Sequence, residues 1–136
     1  MIGGRWIAIA GDLHGDVSRL ERLLRRFERA ASAEVVLVLQ VGDLELPDDA
    51  RPLRGAEVVF IDGNHDKEGA AAPGWTSLGR SGVVERHGVR IGGLSGTYHP
   101  KLSEEPAAPG AGAGEHCTRD DVAALLAARL DVLLLH

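Results

Sequence analysis

The segment EVVFIDGNHD, residues 57–66, places a short apolar run directly before a group of polar side chains. The run Glu57–Ile61 is typical of a strand that is buried on both faces. Gly63-Asn64 is a common turn pair, and His65-Asp66 follows it without a gap. In α/β proteins ligands bind beyond the carboxyl ends of the strands, so this junction is a candidate site.

The same arrangement recurs on either side of this segment. Three further apolar runs end in polar residues: Arg5–Ala10 before Gly11-Asp12-Leu13-His14-Gly15, Val35–Val41 before Gly42-Asp43, and Asp131–Leu135 before His136. Parallel strands present their carboxyl ends at one edge of a sheet. We therefore expect all four strand ends to converge at one edge of a parallel sheet.

A helix is predicted between the first two runs. Ser18 and Glu21 have the spacing of a capping box. Apolar residues behind them form one stripe, namely Val17, Leu20, Leu23, Leu24 and Phe27, and five arginines take the other face, namely Arg19, Arg22, Arg25, Arg26 and Arg29. Because Glu21 and Glu28 are interleaved with these arginines, we interpret the row as a solvated face rather than a nucleic-acid patch.

The second half of the chain predicts a β-hairpin and a second helix. Val83–Glu85 and Val89–Leu94 flank a short turn, and residues 104–115 are rich in Pro, Ala and Gly, which predicts a mobile loop. Thr118 and Asp121 are expected to cap a helix whose inner stripe is Val122, Leu125, Leu126 and Leu130. Alternating strands and helices indicate an α/β fold, with residues 1–136 as a single domain.

Composition limits the class of protein. The chain has 136 residues, 44% hydrophobic content and a formal net charge of −5, which disfavours a protein that wraps long stretches of nucleic acid. Cys117 is a single cysteine, and no apolar run approaches the roughly 20 residues of a membrane span. We expect a cytoplasmic protein with no membrane segment and leave its oligomeric state open.

The polar residues at the strand ends are suited to metal binding. Carboxylate, imidazole and amide oxygen together favour borderline divalent ions such as Mn, Fe, Co, Ni or Zn. Glycines flanking these residues allow sharp turns and close approach of an ion or a phosphate.

In this order, the four motifs resemble the signature of calcineurin-like metallophosphoesterases. The resemblance implies an α/β/β/α sandwich that hydrolyses phosphate mono- or diesters with two divalent metal ions, Mn favoured, and a bridging hydroxide. It implies Asp12 and His14 as ligands of the first metal, Asp43 as the bridge, and Asn64 and His136 as ligands of the second. It also implies that His65 acts on the reacting phosphate as general acid or transition-state stabiliser, and that Asp66 orients its ring.

A narrower resemblance lies in residues 78–96, which are similar to a hairpin of RNA lariat debranching enzymes. We do not extend that function to the chain, since those enzymes typically carry Cys where this chain has Asp12. The loop at residues 104–115 also lacks the basic and aromatic groups that a branched RNA would need. The expected partner is a small phosphorylated substrate, with nucleic acid possible but not favoured.

The family pattern normally continues to a later Gly-His-x-His element, so the C-terminal part of the domain is expected to be missing. Two other functions remain open. One is a non-catalytic interaction module, or inactive fragment, of the same fold. The other is an unrelated α/β nucleotide binder, which is disfavoured because no phosphate loop of the G-x-x-x-x-G-K type occurs.

Overall fold

The computed structural model describes residues 4–66, 72–98 and 116–136, and the predicted loop at 104–115 lies outside these ranges. The elements are β1 (Trp6–Ala10), α1 (Val17–Ala31), β2 (Val35–Val41), β3 (Glu57–Ile61), β4 (Trp75–Ser77), β5 (Val83–Arg86), β6 (Val89–Leu94), α2 (Arg119–Leu126) and β7 (Val132–Leu135). The predicted strands, including the hairpin, are confirmed to within one residue. Neither described helix is long and apolar enough to cross a membrane.

The first sheet is fully parallel, with strand order β1-β2-β3-β4. Its two central strands, β2 and β3, are covered on both faces. Alternate side chains of a strand point to opposite sides of the sheet, and here each side packs into its own core. In β3, Val58 and Phe60 join the core beneath α1, whereas Val59 and Ile61 join the core beneath the second sheet. The parallel order brings the ends of β1, β2 and β3 to one edge.

The second sheet has strand order β5-β6-β7, with β6 antiparallel to β5 and parallel to β7. Two glycines of β6 allow close packing on both sides of it. A Cβ at Gly93 would overlap Ile61 and Leu78 of the first-sheet side, and a Cβ at Gly92 would overlap Leu130 beside α2. The layers are therefore α1, first sheet, second sheet and α2, which confirms the predicted α/β/β/α sandwich.

The last strand corrects one expectation. We expected all four polar strand ends to lie on one parallel sheet, but β7 pairs with β6 in the second sheet. Leu134 of β7 is buried against Leu37 and Leu39 of β2, so the two sheets are face to face at this point. Sheet-to-sheet packing, rather than strand pairing, brings the end of β7 towards the other three.

The predicted capping box at the start of α1 is wrong. Asp16 is the N-cap, and its Oδ1 accepts hydrogen bonds from the Arg19 backbone N–H at 2.9 Å and from the Ser18 hydroxyl at 3.1 Å. These bonds lower the pKa of Asp16. An aspartate just before the helix can satisfy the amide three residues on, which leaves no capping role for Ser18.

The cap of α2 is confirmed. Thr118 accepts from the Asp121 backbone N–H, and Asp121 accepts from the Thr118 backbone N–H at 2.8 Å. The predicted inner stripe is only partly correct, because Leu125 is buried whereas Leu126 is 81% exposed. Arg80, which precedes β5, donates to Asp121 at 3.0 Å and so ties the hairpin to the start of α2.

We predict that Asp121→Asn lowers the free energy of unfolding at pH 7 by about 1–2 kcal/mol. Burial alone would raise the pKa of Asp121, but hydrogen bonds from Arg80 and Thr118 outweigh it and lower the pKa below its ordinary value of 3.8. A lowered folded-state pKa contributes stability above the unfolded value, and this contribution is lost as the pH falls through the folded value. The difference in the free energy of unfolding between wild type and variant should therefore become smaller below about pH 4.

Urea denaturation of both proteins between neutral and acid pH measures this difference. Asp120→Asn is the control, since Asp120 is its exposed neighbour in the first turn of α2. A difference that stays constant down to about pH 3 would contradict a stabilising role for the charge.

Candidate metal centre

Two loops at the carboxyl edge of the first sheet are joined by backbone hydrogen bonds. The β1 loop (residues 11–16) and the β2 loop (residues 42–46) continue side by side after their strands end. Asp12 N–H donates to Gly42 O at 3.1 Å, His14 N–H to Asp43 O at 3.0 Å, and Gly15 N–H to the Leu44 carbonyl at 2.9 Å. The polar residues of the two motifs are thereby held next to each other.

Gln40, the one buried polar residue of β2, shapes the start of the β2 loop. Its amide group donates to Gly42 O at 2.6 Å and accepts from Gly42 N–H at 3.0 Å. A buried amide satisfied in this way is a stable feature, because leaving it unpaired would be costly. The bonds fix the backbone immediately before Asp43.

The backbone of both loops is in an unusual conformation. Asp12, His14, Asp43 and Glu45 all have positive φ, between 44° and 52°, as do only Ser32 and His87 among the other described non-glycine residues. Left-handed backbone is uncommon for residues with a Cβ, and it tends to cluster at functional sites, where the surrounding structure holds it in place. Four such residues at one sheet edge therefore indicate a functional site.

Asp12, His14 and Asp43 each offer a ligand atom, and these atoms all lie within 4.8 Å of one another. Asp43 is 6% exposed, whereas Asp12 and His14 are open to solvent. Two carboxylates and an imidazole form a donor set that fits a borderline divalent ion. A buried carboxylate without a cation would be unfavourable, so the arrangement fits the metal that the sequence motifs imply.

Glu45 supports His14 from the β2 loop. Its Oε1 lies 2.6 Å from His14 Nδ1, and this hydrogen bond raises the pKa of His14, with further contributions from the charges of Asp43 and Asp12. Metal-binding histidines commonly give their second ring nitrogen to a carboxylate. With Nδ1 committed to Glu45, the Nε2 atom of His14 is left for an ion.

Two more histidines meet Asp43. His136 Nε2 lies 3.6 Å from Asp43 Oδ1, and His65 Nε2 lies 4.0 Å from Asp43 Oδ2. The His65 ring also makes an edge contact with the His14 ring, at 5.8 Å between centroids. Asp43 is therefore the residue that joins the first pair of motifs to the other two.

Glycine is required where His136 approaches the β2 loop. Gly42 has a φ of +93°, and a Cβ at this position would overlap the His136 ring. Gly63 has a similar role on the other side, because a Cβ there would overlap Asp43. The glycines that flank the motifs are thus explained by close packing around Asp43.

The expected role of Asp66 needs a correction. It was expected to orient the His65 ring, but its Oδ1 accepts from Glu45 N–H at 2.5 Å and its Oδ2 from Gly63 N–H at 2.7 Å. No hydrogen bond joins Asp66 to the His65 ring in the described structure. A carboxylate placed between two loops satisfies their backbone amides first, so Asp66 positions the β2 loop against the turn that holds His65.

Asn64 lies in the turn after β3 and is exposed. It is next to His65, whose backbone N–H donates to Asp43 Oδ1 at 3.2 Å. The role of Asn64 as a ligand stays a prediction, as do the roles of His65 and His136.

Sequence reasoning missed Glu45 and Gln40. Glu45 stands two residues after Asp43, as His14 stands two residues after Asp12, and this matching spacing could have identified it. Gln40 interrupts an otherwise aliphatic strand, and a polar residue in such a run requires a local partner.

The model of the calcineurin-like phosphoesterase superfamily domain matches residues 6–124. A lariat debranching enzyme of Arabidopsis thaliana is 32% identical over 70% of this chain and 31% of its own length. The lariat debranching enzymes of Mus musculus and Homo sapiens are each 30% identical, over 68% of this chain and 23% of their own length.

These relatives correct the narrow reading of the hairpin. From the sequence motifs we expected similarity to lariat debranching enzymes only in residues 78–96. The observed similarity extends over more than two thirds of the chain. The chain spans less than a third of the length of these relatives. The matched domain includes the β1 loop, the β2 loop and the turn after β3, and the chain belongs to the calcineurin-like phosphoesterase superfamily.

Proposed function

We propose that the chain carries a phosphoesterase site with two divalent metal ions, Mn²⁺ favoured, at the carboxyl edge of the first sheet. The ligands in this proposal are Asp12, His14, Asp43, Asn64 and His136. The observation that supports it most is the convergence of Asp12, His14 and Asp43 within 4.8 Å, on loops with left-handed backbone. When bound, two such ions would neutralise phosphoryl oxygens and activate water for in-line attack.

The remaining residues have separate tasks in this proposal. His65 has a ring that is 59% exposed and stands beside Asp43, where it can give a proton to a leaving alkoxide. Glu45 holds His14 at Nδ1 and so leaves Nε2 for an ion, and Asp66 joins the β2 loop to the turn after β3 by accepting from the backbone amides of Glu45 and Gly63. His65 would touch the substrate, whereas Glu45 and Asp66 are positioning residues.

The substrate we propose is a phosphodiester of a nucleic acid. The earlier expectation of a small phosphorylated substrate finds no support, because the similar proteins are named for the debranching of lariats. The net charge of −5 is compatible with a polyanion, since cations bound among the carboxylates of the site would reverse the local field.

Metal titration and turnover test the proposal together. We expect the chelator-treated protein to bind Mn²⁺ in calorimetry, and to hydrolyse bis(p-nitrophenyl) phosphate only when Mn²⁺ is present. The monoester p-nitrophenyl phosphate, assayed in parallel, tests the preference for diesters.

Two results would count against the proposal in different ways. Mn²⁺ binding without turnover of either ester would favour a non-catalytic module of the same fold. Absence of Mn²⁺ binding, in a protein whose circular dichroism shows it to be folded, would overturn the metal site itself.

A further inference from the structure

Helix α1 carries an excess of positive charge that its own acids do not neutralise. It contains five arginines and two glutamates, in a chain whose net charge is −5. Glu21 pairs with Arg25 at 2.9 Å, and the Glu28 carboxylate accepts from the Val35 backbone N–H at 3.0 Å. Glu21 therefore offsets Arg25 alone, and Glu28 is bound to a backbone amide, so in the described structure neither acid forms an ion pair with the other four arginines.

The other four arginines form a continuous band, the arginine stripe, consisting of Arg19, Arg22, Arg26 and Arg29. Steps of three and four residues keep them on one side of the helix, over a length of about 15 Å. All four are exposed. None of them has an ion pair within the residues that the structure describes.

The stripe begins beside the candidate metal centre. Helix α1 follows the β1 loop directly, and Arg19 and Asp12 line the same groove between β1 and α1. From there the stripe extends along the helix away from the carboxyl edge of the first sheet. A polymer with several phosphates could thus place one of them at the metal centre and the following ones along the arginines.

This placement of charge does not favour the isolated helix. The helix dipole favours negative charge at the start of α1, where the N-cap Asp16 interacts with the charges of Arg19 and Arg22 but the first turn itself contains no acidic residue. Arg22 and Arg26 are four residues apart, a spacing at which like charges repel. An anionic partner would relieve this repulsion.

We infer that the arginine stripe binds the phosphate backbone of a single-stranded nucleic acid whose reacting phosphate lies at the metal centre. The choice of this partner rests on the proposed function, whereas the unpaired positive charge does not. Guanidinium groups bind phosphate oxygens in pairs of hydrogen bonds, and neighbouring arginines of the stripe are spaced for successive contacts along a flexible strand.

Binding of a fluorescein-labelled single-stranded RNA of roughly 12 nucleotides, followed by anisotropy, tests the inference. The variant replaces all four stripe residues by glutamine. Its matched control replaces four exposed arginines elsewhere by glutamine: Arg51, Arg54, Arg119 and Arg129. Both proteins lose the same charge, so a difference between them reports on position.

We expect the stripe variant to bind the RNA at least about tenfold more weakly than wild type at about 50 mM salt. The slope of log Kd against log salt should decrease by about 2–3, as expected for the loss of up to four phosphate contacts with a single strand. The control should remain within about threefold of wild type, and thermal unfolding of the stripe variant should occur at the same temperature or higher.

Equal weakening in both variants would overturn the inference, because net charge alone would then explain binding. Stripe-dependent binding to phosphatidylserine vesicles, without stripe-dependent binding to RNA, would also overturn it in favour of a membrane surface. Turnover of bis(p-nitrophenyl) phosphate separates the two proposals. RNA binding that depends on the stripe, without ester turnover, supports the inference about the stripe and counts against the proposed function. Ester turnover without stripe-dependent RNA binding supports the proposed function and overturns the inference about the stripe.

Discussion

Replacing Asp43 by Asn should weaken Mn²⁺ binding by more than about 100-fold, a larger loss than that from any other single ligand change. Loss of a residue that merely supports a ligand already costs about 10–100-fold in affinity. Asp43 is the buried member of the triad and also lies next to His136 and His65. In the proposed site it would touch both ions, whereas Asn64 would touch one.

The variant is conservative for the fold. Asn keeps an oxygen that can accept the His65 backbone N–H, which lies 3.2 Å from Asp43 Oδ1, and it has nearly the same volume. Asp48→Asn makes the same charge change at an exposed position in the connection between β2 and β3, and it should leave Mn²⁺ binding unchanged. A wild-type calorimetric isotherm for Asp43→Asn would show that this carboxylate is not a shared ligand.

Replacing His65 by Ala should lower kcat for the diester by about 10²–10⁴ and leave Mn²⁺ binding nearly unchanged, as expected for loss of a general acid. The His65 ring is largely exposed, so its removal creates no cavity. Its backbone N–H, which donates to Asp43, is retained in the variant. Steady-state kinetics and Mn²⁺ calorimetry on the same preparation separate the two effects.

His87→Asn is a suitable control for a lost imidazole. His87 lies in the turn between β5 and β6, 3.5 Å from Glu57 at the start of β3, and thus at the opposite end of that strand from the metal centre. Asn tolerates the positive φ of this position, and kcat should not change. If His65→Ala reduced the amount of bound Mn²⁺, His65 would have to be reassigned as a metal ligand.

The strands could be predicted because their signal is local. Val35–Val41 and Glu57–Ile61 are apolar except for Gln40 and Glu57, and both were located to the residue. Helix surfaces were predicted less well, since the apolar positions of a helix are buried only where a neighbour covers them. Leu125 packs towards β6 and is buried, whereas Leu126, on the same predicted stripe, is exposed because nothing in the described structure covers it.

The site was predicted as a set of strand ends but not as a set of contacts. Motif order suggested which residues would meet, and Asp12, His14 and Asp43 do lie together. The partners of these residues could not be deduced in the same way. Asp66 binds the backbone amides of Glu45 and Gly63 rather than the His65 ring, because those amides lie closer once the loops are packed.

The sequence by itself determined every described strand except the short β4, the order of the polar motifs and the sheet edge that three of them share, because each follows from local spacing and from the direction of parallel strands. Only the tertiary structure decided that β7 belongs to a second sheet and that His136 nevertheless reaches Asp43, since this depends on two sheets packing face to face. The tertiary structure also decided which arginines of α1 have an acidic partner. Glu28 could have paired with an arginine of its own helix, but its carboxylate accepts a hydrogen bond from the Val35 backbone N–H at the start of β2.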